Sequence, residues 1–214
     1  MFRKLILRQK MTKHKKLKMI ETFRQNITPD KFISDGIKTA IQQRSDFITY
    51  PEFLKYFKDL DEITKHNLVI GINFVYGWMP TIFDFRSDNF DQAIKILNQA
   101  KNGTELITKD DLTLLKGLFN NSLVGSTKLL HFINPNKYAI WDSRVYRYLT
   151  NNNNYNQIEN CNNYLDYLTF CNELINQEGF PTLNNQIEER VGYSMTPFRI
   201  VDLIMYLNGG RKTK

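Results

Sequence analysis

Apolar residues recur at three- and four-residue intervals along nearly the whole chain, the spacing of one face of an α-helix. Thr28-Pro29 reads as an N-cap with proline at the first helical position, and Phe32, Ile33, Ile37, Ala40 and Ile41 follow on one face. Thr49 and Glu52, with Pro51 between them, have capping-box spacing and open a short helix through Phe53, Leu54 and Phe57. Asp61 caps a helix running to Met79. Its apolar residues, Leu68, Ile72, Val75, Tyr76 and Met79 among them, go nearly all round, which marks it as the central buried helix, ended by Pro80. Asp88 starts the next, with Phe90, Ala93, Ile94 and Leu97 inward and Asn102-Gly103 as its stop. Thr108 to Asp111 opens another, through Leu112, Leu115, Leu118 and Phe119.

The stretch from Asn121 to Leu149 organises the rest. A short turn, Leu123-Val124-Gly125-Ser126, leads into an apolar helix carrying Lys128; a Pro-containing turn follows, and a second helix starts at Asp142. Asn151 to Asn154 form a loop. Gln157 to Glu178 reads as a long helix with Ile158, Cys161, Leu165, Leu168 and Ile175 inward, stopped by Gly179-Phe180-Pro181. A short helix lies around Ile187 and Val191. Thr196-Pro197 caps the last helix, through Ile200, Val201, Ile204 and Leu207, closed by Gly209-Gly210. No polar–apolar alternation between Asn-Gly-type turns predicts a sheet. The expectation is an all-α, compact bundle of about ten helices.

Composition supports a real core, with 42% hydrophobic and 13% aromatic residues. Cys161 and Cys171 make neither a disulfide framework nor a zinc site and are expected to fill helix faces. The longest apolar run, Leu68 to Phe83, contains Asn73 and Pro80 and is too short to span a bilayer. No apolar core and cleavage site follow the basic start, so a soluble, reducing, cytoplasmic setting without membrane attachment is expected. The net charge of +7 is unevenly spread. Residues 1–18 hold eight Lys or Arg and no acid, and the last four residues hold three more. That leaves 18 basic residues against 22 acids between, a body of net −4. The arm 1–18 is therefore either a solvated extension or a grip on a polyanion, and Met11 or Met19 as the start would shorten or remove it. The remainder, 19–214, reads as one globular domain, or as two helical lobes flanking a cleft. Within it, 109–147 is locally positive, six basic residues against three acids.

A lysine near one helix start and a carboxylate at the next can bring an amine and an acid together over a phosphate backbone. They are equally the features of an ordinary helix pair, with Lys128 solvated and Asp142 an N-cap. His131, one helical turn from Lys128, either tunes the amine or is a satisfied core histidine. Arg144 and Arg147 either bind phosphate or pair with acids. Tyr146 and Tyr148 either stack on a base or belong to the core, and Trp78 and Trp141 are read as core.

Leu123-Val124-Gly125-Ser126-Thr127-Lys128, between a helix ending at Phe119 and an apolar helix, resembles a helix-hairpin-helix element, placed around residues 110–133. Ile140-Trp141-Asp142 resembles the loop that carries a catalytic aspartate. Together with Thr127 to Phe132 and Ile140 to Val145, they resemble the helix-hairpin-helix DNA glycosylase superfamily, in its bacterial branch similar to 8-oxoguanine DNA glycosylases. The hairpin has one Gly and lacks the Pro of the family's Leu-Pro-Gly-Val-Gly pattern, and Lys128 and Asp142 are only 14 residues apart. The resemblance implies a DNA-repair enzyme that excises an oxidised purine from damaged duplex DNA, with AP-lyase activity through a lysine Schiff base. It implies Lys128 as nucleophile, Asp142 as its acid partner, and Val124, Gly125 and Ser126 as the phosphate-contacting turn, with Arg144 and Arg147 on DNA. His131 and Phe198 are its base-pocket candidates, Phe198 lying near Asp202 on the last helix. Such a protein acts as a nucleoid-associated monomer and needs no metal or small-molecule cofactor. The alternative is a non-catalytic nucleic-acid-binding protein of the same fold.

Overall fold

The computed structural model describes residues 19–42, 44–79, 81, 83 and 88–210. The basic arm, Pro80 and the basic tail lie outside them. Eleven α-helices and no strand occur among the described residues: α1 (Met19–Asn26), α2 (Pro29–Lys38), α3 (Ser45–Lys58), α4 (Lys65–Gly77), α5 (Phe90–Asn102), α6 (Lys109–Leu118), α7 (Leu123–Ile133), α8 (Ser143–Thr150), α9 (Cys161–Ile175), α10 (Phe180–Val191) and α11 (Pro197–Asn208). The all-α expectation holds.

Helix starts written in local chemistry fall where the sequence puts them. Thr28 and Thr196 each accept a backbone N–H and precede a proline in the first turn. Thr108 and Asp111 form a reciprocal capping box at α6. Other boundaries differ. α2 ends at Lys38, so Ala40 lies beyond it, and Ile37 is 49% exposed rather than inward. α3 begins at Ser45, so Thr49 and Pro51 sit inside it, and the Thr49–Glu52 spacing is a coincidence of composition. Thr64, not Asp61, caps α4, in a capping box with Asn67, and α4 ends at Gly77. α9 is shorter than expected, capped by Asn160. Gly179-Phe180-Pro181 starts α10 rather than only stopping α9, because proline is tolerated in a first turn, where its missing N–H has no intrahelical partner anyway. The sequence reading missed α1, which buries Ile20 and Phe23.

The central helix is α7, not α4. Every residue of α7 except Val124 is buried, whereas α4 exposes Asn73 and Gly77. Helices α3, α4, α5 and α6 all pack on α7. A second group forms where α11 packs on α8 and α9, and α1 packs on α8 and α9. Cys161 and Cys171 are free and buried on α9, as expected. No described helix is long and apolar enough to cross a membrane.

The turn before α7 lies earlier than the sequence reading placed it. Asn120 and Asn121 adopt left-handed φ values of 54° and 59°, and Ser122 caps α7 by accepting the Gly125 N–H. Asn tolerates this conformation better than most residues, so the reversal needs no glycine. Leu123 to Ser126 are helix, not turn.

Candidate active site

The segment from Tyr138 to Trp141 runs between α7 and α8 with all four residues buried. A buried connection without regular structure leaves backbone groups that must find partners. Side chains supply them here. Tyr164 donates to the Ala139 carbonyl at 3.1 Å, Tyr167 to the Ile140 carbonyl at 3.2 Å, and the Ile140 N–H donates to Asp202 at 3.2 Å. Thr127 Oγ1 accepts the Trp141 N–H at 3.3 Å. Thr127 precedes Lys128 and Trp141 precedes Asp142, so this bond sets the two chemical residues in register. The short connection is sufficient because it is extended and held from three helices.

Lys128 and Asp142 line one cleft of about 800 Å³. The cleft lies between the two helix groups. The start of α3 and the end of α4 form one side, α8 and α11 the other, and Val124 and Lys128 of α7 complete it. Lys128 is only 7% exposed, and its amine has no hydrogen bond or ion pair to any described residue. Burial holds its pKa below the usual lysine value, opposed by the nearby charge of Asp142 and aided by that of Arg199. Asp142 caps α8. Its Oδ1 accepts both the Arg144 N–H at 2.7 Å and the Val145 N–H at 3.1 Å, which leaves Oδ2 outside the cap.

The other expected site residues divide. Arg144 and Arg147 line the cleft, and neither has a carboxylate partner among the described residues. Gly125 and Ser126 do not reach it. Gly125 is needed for packing, since a Cβ there would lie 2.8 Å from the Phe119 ring. Ser126 is 1% exposed and its hydroxyl donates to the Ser122 carbonyl. Three N–H groups of the first turn are consumed too. Leu123 donates to Glu159 at 2.7 Å, Gly125 to the Ser122 hydroxyl at 3.2 Å, and Ser126 to the Ser122 carbonyl at 3.2 Å. Of the proposed phosphate-contacting turn, only Val124 faces the cleft.

His131 is fully buried and absent from the cleft. Its Nδ1 lies 2.6 Å from the Tyr138 carbonyl, which can only accept, so Nδ1 carries the proton. Nε2 then accepts from the Tyr50 hydroxyl at 2.8 Å. Burial pushes its pKa down to about 3, so it is a neutral core histidine. Phe198 is 5% exposed and likewise outside the cleft. Trp141 is core, donating to the Ile158 carbonyl, and Tyr146 and Tyr148 are buried.

Among the cleft residues missed as such are Arg44, Trp78, Arg199 and Tyr206. Trp78, read as core, lines the cleft, stacked on Tyr50 and anchored by its indole N–H on Thr49 at 3.0 Å. Arg199 pairs with Asp202, lies 4.9 Å over the Tyr50 ring, and keeps its Nε without a partner. Burial pushes the Asp202 carboxyl up to about 7, against the opposing charge of Arg199. Tyr206 carries a guanidinium on its ring from each of Arg44 and Arg144. Burial raises its hydroxyl pKa, but the hydrogen bonds and charges of those two arginines outweigh burial and leave it lowered. The packing of α3, α4 and α11 around the cleft brings these residues to Lys128; no local pattern marks them.

The lining therefore holds five cationic side chains, Arg44, Lys128, Arg144, Arg147 and Arg199, against Asp46 and Asp142. No group of three His, Cys, Asp or Glu side chains able to hold a metal occurs among the described residues. Compared with protein-family models, curated proteins and solved structures, the chain has no significant match.

Proposed function

We propose that the protein is a lysine-dependent DNA glycosylase that excises an oxidised purine, with AP-lyase activity following from the same intermediate. One observation carries the reading: Lys128 and Asp142 share a cleft, and the amine there is buried, partnerless and shifted towards its neutral form. A free lysine at neutral pH is protonated and has no lone pair to offer; desolvation moves the amine towards the form that has one. The cleft has the volume of a small-molecule site and a cationic lining suited to a nucleotide and its phosphates. A base must leave the stack to enter such a site, and Trp78 gives the cleft an aromatic side chain.

In the reaction the Lys128 lone pair forms a bond to C1′ of the sugar. The C1′–N bond breaks, and its electron pair leaves with the base, which takes up a proton. The new ammonium loses a proton as the sugar ring opens to an imine, O4′ gaining a proton. The Asp142 carboxylate stabilises positive charge developing on the sugar. Loss of the proton at C2′ then allows elimination of the 3′ phosphate, which nicks the strand. The bound partner is duplex DNA, and the protein works on it as a nucleoid-associated monomer.

The test is borohydride trapping on duplex DNA containing 8-oxoguanine. A covalent adduct that disappears in Lys128→Gln is expected. No adduct with the wild-type chain, or one that persists in the variant, overturns the assignment; salt-sensitive binding without an adduct would instead support a non-catalytic DNA-binding protein.

A further inference from the structure

Proteins that grip a nucleic-acid backbone with a helical hairpin do so through free backbone N–H groups. This hairpin has few to give. Three N–H groups of the first turn of α7 already donate within the protein, and Gly125 faces Phe119 rather than solvent. The phosphates need another anchor.

The opposite wall of the cleft supplies one. Arg144 and Arg147 are one turn apart on α8, both face the cleft, and both lack a carboxylate. Each is nonetheless held in place. Arg144 lies 4.6 Å over the Tyr206 ring, and Arg147 donates through Nε to the Gly209 carbonyl at 3.1 Å. Arg44 approaches the same ring from α3's side, 5.2 Å from its centre, with its Nε on Asp46 at 2.7 Å. Arg44 also donates through Nη2 to the Tyr206 hydroxyl at 3.5 Å. Guanidiniums fixed in this way, by stacking or by a bond through Nε, retain further terminal N–H groups in a defined plane, the arrangement that suits contact with phosphate. Gly209 makes this possible, since a Cβ there would overlap the Arg144 carbonyl oxygen and push α11 off α8.

We propose that Arg144 and Arg147, with Arg44 across the Tyr206 ring, form a phosphate clamp that does the work of the hairpin amides. The ligand chemistry is a phosphate ester next to the sugar that Lys128 addresses, so the proposal rests on the function given above. It differs in placing the backbone on α8 and α11 rather than on the turn at Asn120–Asn121.

The experiment is binding of the full chain to labelled duplex DNA carrying an uncleavable tetrahydrofuran abasic site, followed by anisotropy across a salt series. Arg144→Ala and Arg147→Ala are each expected to weaken binding about tenfold and to lower the slope of log affinity against log salt by about one. Arg144→Lys, which keeps the charge and loses the plane, should fall between, and Tyr206→Leu, which removes the ring and the hydroxyl, should weaken binding more than Tyr206→Phe, which removes the hydroxyl alone. Asn121→Asp sets a negative charge at the hairpin tip and should change affinity less than about twofold. Thermal melts of every variant separate lost binding from lost folding. The clamp is overturned if Asn121→Asp weakens binding as much as Arg144→Ala, or if the Arg144→Ala/Arg147→Ala chain folds and keeps the wild-type slope. A nucleoside monophosphate that displaces the DNA at matched phosphate concentration would support the clamp and assign it a free phosphate ester. An adduct with an unchanged slope removes the clamp alone; a reduced slope with no adduct removes the enzyme alone.

Discussion

Two lysines are buried to nearly the same degree: Lys116 near the end of α6 is 8% exposed and Lys128 on α7 is 7% exposed. Their surroundings are opposite. The Lys116 amine donates to the Glu159 carbonyl oxygen at 2.7 Å and pairs with the Glu159 carboxylate at 3.3 Å. The same carboxylate accepts the Leu123 N–H, so Lys116 helps fasten the α6–α7 connection. Lys128 has no such partner and faces a cleft. Equal burial thus covers two different environments, one hydrogen-bonded into the fold and one lining a cleft.

Exchanging the two lysines' roles by mutation gives the largest contrast. Lys128→Gln should abolish borohydride trapping, while Lys116→Gln should trap at close to the wild-type rate, both read as adduct on a denaturing gel. Next comes Asp142→Asn. Asn also caps helices well, so the fold should melt near the wild-type temperature while the trapping rate drops roughly a hundredfold, the usual scale for losing one charge-stabilising group.

On stability the order reverses. Lys116→Met leaves Glu159 short of a partner and should destabilise the fold by about 1–3 kcal/mol in chemical denaturation. Lys128→Met removes an unpaired buried amine and should be neutral or stabilising. The pH dependence follows the same lines. The folded pKa of Lys128 lies below its unfolded value of 10.5, so trapping should reach its plateau at a lower pH than a free lysine allows. The smallest effect belongs to His131, three residues on. Its folded pKa of about 3 lies below the unfolded 6.5, so the unfolded chain binds the extra proton between them. The stability from its neutral form is full above about pH 6.5 and is lost as pH falls towards 3; a stable His131→Gln chain should lose that part of the acid limb.

What was legible in the sequence was what is local. Thr108 with Asp111, Thr196 with Pro197 and Asp142 before Ser-Arg-Val each state a helix start within four residues, and the structure has all three. Thr49 and Glu52 state one just as clearly, but the apolar demand of Phe47 and Tyr50 extends α3 back through them. The turn before α7 was misplaced for a similar reason. Leu-Val-Gly-Ser looks like a turn, but Asn120-Asn121-Ser122 carries both the left-handed residues and the cap. In the cleft, Lys128 and Asp142 were visible through resemblance. Arg44, Trp78, Arg199 and Tyr206 were not, because they arrive from helices distant in the chain and nothing adjacent to them distinguishes a cleft wall from a core face.

Gly209 carries one last consequence, and it concerns timing. The Arg147–Gly209 bond spans 62 residues. A chain made from its N-terminus exposes α7 and α8 to water long before α11 exists to close over them. Until Gly209 settles against the Arg144 carbonyl, Lys128 lacks one wall of the cleft that buries it. The burial of Lys128 is thus a late event, complete only when the last helix of the polypeptide is in place.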